Sequence, residues 1–133
     1  MGKLLQRLKD PARSGVYRAA RADEIVEATR GSGLKVVRIA GSEKIDLLEN
    51  IAKALAFPDW FGHNWDALED CLTDLSWNEA AGYVLIFENA RNDVMTDVLA
   101  SAAEFWAGRG KPFFAVFTDP QRELSLPDLF REA

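Results

Sequence analysis

The chain has 133 residues, 48% hydrophobic and 28% charged, which is ordinary composition for one globular domain and excludes a disordered or collagen-like chain. The single cysteine, Cys71, excludes an internal disulfide, and a net charge of -5 argues against nucleic acid as the main partner. No apolar stretch approaches the roughly 18 residues of a membrane span and no secretory signal opens the chain, so a reducing cytoplasm is the expected location.

Along the chain, Gly15-Val16-Tyr17-Arg18 is consistent with a short strand and residues 22–29 with a short helix. Val36-Val37-Arg38-Ile39, bounded by Gly33 and Gly41, predicts a strand. Ser42 offers an N-cap for a helix with apolar positions at Ile45, Leu48, Ile51 and Leu55, stopped by Pro58. The run from Phe57 to His63 mixes turn formers with bulky aromatics and predicts an ordered loop. Asn64 is a good N-cap for a helix over residues 65–74. Tyr83 to Phe87 and Phe113 to Phe117 are continuous apolar runs, the pattern of strands buried on both faces. Between them, residues 91–107 predict a helix with a stripe at Val94, Val98, Leu99, Ala102, Phe105 and Trp106, ended by Gly108 and Gly110. After Pro120 one further turn is expected near residues 127–130. Three apolar strands separated by helices imply an α/β fold: a three-stranded parallel sheet packed with helices, in a single domain.

The charge is unevenly placed. Residues 1–53 carry 11 Lys/Arg against 7 Asp/Glu, whereas residues 54–90 carry 7 acids, no Lys or Arg, and the only histidine, His63. At about 100° per residue, Trp65, Leu68, Cys71, Leu72 and Leu75 share one face of the predicted helix. Asp66, Glu69, Asp70, Thr73 and Asp74 share the other. The macrodipole accounts for Asp66 in the first turn but not for Asp70 and Asp74, which lie toward the unfavourable end. A face needed only for solubility would intersperse lysines. An acidic face beside the adjacent aromatics Trp60 and Phe61, one of which is expected to be exposed, suggests a surface for a basic partner. The plainer alternative is a solvated face above a loop whose aromatics are both core.

The segment from Ala56 to Asp74 closely resembles the signature of the barstar family of intracellular ribonuclease inhibitors: a proline, an aromatic pair, glycine, then Asn-x-Asp-Ala-Leu-x-Asp-Cys-Leu-Thr. The resemblance covers about residues 34–118, leaving 1–33 as a partly structured N-terminal extension and 119–133 as a tail on or beside the domain. It implies a three-stranded parallel sheet, no cofactor, no catalytic residues, no metal, and one-to-one binding of a barnase-type ribonuclease by a monomer. It also implies partner-binding roles for Asp70, matching the carboxylate that enters the ribonuclease's phosphate site, and for its companion Asp66. Trp60 falls on an exposed tyrosine, Gly62 and Asn64 on interface loop positions, and Thr73 on a polar contact; Glu69 and Asp74 extend the acidic face. Two departures bear on the target. Glu69 stands where the family has a tryptophan, and Glu104 matches the family's acid on the last helix only after a one-residue shift.

Two rival chemistries find little support in the residues. A nucleophilic cysteine would require Cys71 beside His63, yet Cys71 lies on the apolar arc, where burial keeps a thiol inert. Asp59, His63, Asp66 and Asp70 have partly helical spacing but match no recognised metal-ligand signature. A third reading keeps the fold and changes the partner to another basic protein.

Overall fold

A computed structural model describes residues 2–41 and 43–130. The sheet has four parallel strands, not the expected three: β1 (Gly15–Ala19), β2 (Lys35–Ala40), β3 (Tyr83–Glu88) and β4 (Phe113–Thr118), in the order β1-β4-β3-β2. The added strand comes from the N-terminal region, where Gly15 to Ala19 pairs in register with Phe114 to Thr118. The short strand expected at Gly15 to Arg18 is thus present, but its membership of the sheet was hidden because it is half-buried and carries an arginine, Arg18, that is in fact buried.

Alternation along the strands divides the interior into two layers. Val37, Leu85 and Ala115 lie side by side in register and point to one face, while Val36, Val84 and Phe114 point to the other. Over the first face lie α3 (Lys44–Ala54), α4 (Trp65–Leu72) and α5 (Asp93–Ala107). Over the second lie α1 (Gly2–Leu8), α2 (Asp23–Ala28) and the C-terminal tail, through Leu8, Ala22, Ile25 and Leu129. Covering on both faces explains why β3 and β4 read as unbroken apolar runs.

Helix boundaries and stripes differ in detail from expectation. The Ser42 cap lies outside the described residues. In α3 the buried positions are Leu47, Leu48 and Ile51, with Ile45 54% exposed. In α5 Met95 is buried and Val94 half-exposed, and Asn92 caps the start by accepting from the Met95 N–H at 2.9 Å. α3 ends at Ala54, before Pro58 can act, and α4 ends at Leu72 rather than near Asp74. The tail makes no turn at residues 127–130. It runs extended along β1, with the Arg18 N–H donating to the Pro127 carbonyl (2.8 Å) and the Leu129 N–H donating to that of Arg18 (2.9 Å).

Candidate functional site: the acidic face of helix α4

α4 begins where Asn64 leaves extended backbone and accepts from the Ala67 N–H at 2.8 Å, satisfying one of the free N–H groups of the first turn. Its other end is tied to α5: the Trp106 indole N–H donates to the Leu72 carbonyl at 2.7 Å. Leu68, Cys71 and Leu72 are fully buried between these anchors, as the apolar arc required. The acids are thereby turned outward, and Asp66, Glu69, Asp70 and Asp74 are all exposed. Among the described residues, no Lys or Arg forms an ion pair with any of the four. Lys44 Nζ lies 5.5 Å from the centre of the Trp65 ring.

Of the adjacent aromatics, Trp60 is 64% exposed and Phe61 only 5%. Phe61 is held by its N–H to the Pro58 carbonyl (3.1 Å) and by edge contact with Phe57 at 4.9 Å. His63 is exposed in left-handed backbone (φ 54°), its ring 4.8 Å from that of Phe61.

The eight predicted contact residues therefore lie in one continuous segment, but not all have free side chains. Asn64 uses its oxygen for the cap and its amide for the Gly62 carbonyl (3.3 Å). At Gly62 an added Cβ would come within 3.2 Å of that amide, so the small residue suits the close turn. Thr73, half-buried, donates its hydroxyl to the Glu69 carbonyl at 2.8 Å, closing the last turn of α4. Asp74 accepts from the Ser76 N–H at 3.3 Å. Asp66, Glu69 and Asp70 remain as carboxylates aimed at solvent. Glu104 is exposed on α5, which packs against α4.

Cys71 is buried beneath the acids, and burial, reinforced by the charges of Asp70 and Asp74, pushes its thiol up to about 11. With His63 exposed on the loop, this is no thiolate-imidazole pair. Among the described residues no group of three or more His, Cys, Asp or Glu side chains is placed to hold a metal ion. Nor is any described helix long and apolar enough to cross a membrane.

The sequence reading missed Trp77 and Asn78, which follow α4 in a stretch without regular structure. Both donate to the Leu55 carbonyl at the end of α3, at 3.1 and 3.0 Å. The only prior signal was a tryptophan among small and polar residues.

Fold and site together define a small α/β protein with a two-layered covering of one parallel sheet and an uncompensated acidic helix face. Residues 34–118, more than half of the chain and the span from β2 to β4, match the family described as Barstar (barnase inhibitor), and the chain belongs to that family. Comparison with curated proteins returns no match. The family is one of inhibitors, not enzymes, and its partners are ribonucleases. β1, α1, α2 and the tail lie outside the matched span.

Proposed function

We propose that this protein is a stoichiometric inhibitor of a barnase-type ribonuclease, acting in the cytoplasm as a monomer and changing no covalent bond. The observation that carries the reading is the row of exposed carboxylates along α4 with which, among the described residues, no Lys or Arg forms an ion pair. A ribonuclease active site gathers cationic groups to hold phosphate, and rigidly held carboxylates form charge-assisted pairs with such groups. Asp70, in the last turn of α4, enters that cleft, flanked by Asp66, Glu69 and Asp74. Trp60 and the Gly62–Asn64 turn cover one side, and Thr73 marks the far end. The exposed, ordered aromatic beside the charges supplies the apolar contact of a protein interface.

Titrating a barnase-type ribonuclease with the protein, with RNA cleavage as readout, tests this. The expected result is loss of activity that is complete at one equivalent. Glu69, a charge where the family has a tryptophan, favours a second reading in which the same face binds a different basic protein. Unchanged cleavage at micromolar protein would select it.

A further inference from the structure

Trp60 is an unusual residue to hold still, since a tryptophan 64% exposed on a turn has little beneath it to fix its rotamer. What lies beneath it is Trp77. The two rings meet edge to face, 6.0 Å apart at 89°. Trp77 meets Phe57 in the same way, at 5.9 Å and 87°, and Phe57 meets the buried Phe61 at 4.9 Å and 71°. Four rings thus run in edge-to-face contact from the core to the exposed Trp60, the geometry that aromatic quadrupoles favour. Trp77 is fixed in turn by its indole N–H on the Leu55 carbonyl, which also accepts from Asn78. That carbonyl belongs to the C-cap of α3 and has no helical partner, so the bond ties the segment after α4 to the segment before it.

Resting on the inhibitor reading above, we infer that Trp77 is a positioning residue for partner binding: it orders Trp60 before the partner arrives. Ordering a contact side chain in advance removes an entropic cost from binding, so Trp77 contributes affinity through Trp60. No contact between Trp77 and the partner is needed.

A double-mutant cycle on inhibition of a barnase-type ribonuclease tests it. Trp77→Leu is expected to weaken inhibition by about two- to tenfold, the range of a single aromatic pair. In a Trp60→Ala background the same substitution is expected to change inhibition less than about twofold. Trp77→Phe keeps an aromatic ring at the site, and should rescue most of the loss while preserving the fold. Equal losses in both backgrounds would overturn the inference, because Trp77 would then act independently of Trp60. A second measurement needs no ribonuclease. In the free protein, nitrogen relaxation of the Trp60 indole should show a lower order parameter in both variants than in the parent, least in Trp77→Phe, with Trp65 unchanged. An unaltered Trp60 overturns the inference even if inhibition is confirmed. Absence of inhibition by the parent chain would sink the inhibitor reading, leaving the relaxation data to decide whether Trp77 orders Trp60.

Discussion

Asp70 sits one helical turn after Asp66, and like charges at that spacing destabilise a helix by roughly 0.2–0.5 kcal/mol per pair. Replacing it by alanine removes that pair and improves helix propensity, while Asp74 lies beyond the end of α4 at Leu72. Asp70→Ala should therefore raise unfolding stability by roughly 0.5–1 kcal/mol in urea. A loss of stability would mean the carboxylate is structural. Directly below, Cys71 makes an opposite demand on ionisation. The unfolded thiol ionises near its ordinary 9.0, whereas in the folded chain burial and the adjacent acids hold it protonated to about 11. The unfolded state gives up its proton first, so this stability is full below pH 9 and is lost as pH rises toward 11. Compared with Cys71→Ala, the parent should lose stability more steeply across that interval. Parallel curves would show that the thiol ionises alike in both states.

Among the elements, the end of α3 shows how a small backbone feature places the site. The Phe57 N–H reaches back to the Ala52 carbonyl (2.8 Å) and the Ala56 N–H to that of Lys53 (3.3 Å), with Ala56 left-handed at φ 54°. This paired arrangement closes many helices and ordinarily places glycine where Ala56 stands. Ala56→Gly should stabilise the protein by about 0.5–1 kcal/mol, read from denaturant midpoints, since it removes a left-handed Cβ clash at some cost in chain entropy. Destabilisation would contradict this account of the turn. The same turn releases the chain into the loop bearing Trp60. That loop was legible as ordered because its aromatics are too apolar to float, and the exposure of one of the pair followed from their adjacency. The packed faces of α3 and α5 were less legible. Positions 45, 48, 51 and 55 fit helical spacing as well as 47, 48, 51 and 55, and only docking on the sheet selects Leu47 over Ile45. Met95 over Val94 is the same choice.

Across the whole molecule, chain ends that looked peripheral complete the sheet. Arg18, on β1, donates through Nε to Asp119 at 3.3 Å and through Nη2 to the Asp119 carbonyl at 2.5 Å, and it pairs with Asp128 in the tail. An N-terminal strand, the end of β4 and the tail are thus joined at one buried arginine, which a single sequence shows only as one more surface charge. Removing one member of a buried ion pair strands the other, so Arg18→Met should cost about 3 kcal/mol in unfolding stability. A change within experimental error would contradict this clamp. Its acid limit follows from Asp119. Burial would raise that carboxyl, but N–H groups of Leu124 and Glu123 together with Arg18 outweigh it and hold the group below its ordinary 3.8. Its stabilisation is full above that value and lost as pH falls through the lower folded one. The central strands, the α4 arc and the acidic face were legible because each follows from local periodicity. The short strand near residues 15–18 was legible too, but its place in the sheet beside β4, the second layer and the Trp77 contact were not, because each depends on partners far away in sequence.

The central claim is that the acidic face of α4 is the inhibitory surface. Its most direct test is titration of a barnase-type ribonuclease with the parent, Asp70→Ala and Glu27→Ala. The two variants lose the same charge, but Glu27 lies on α2, on the opposite side of the sheet, in an exposed pair with Arg30. The account predicts stoichiometric inhibition by the parent and by Glu27→Ala, and strongly weakened inhibition by Asp70→Ala. Equal inhibition by both variants, or equal loss in both, would contradict it.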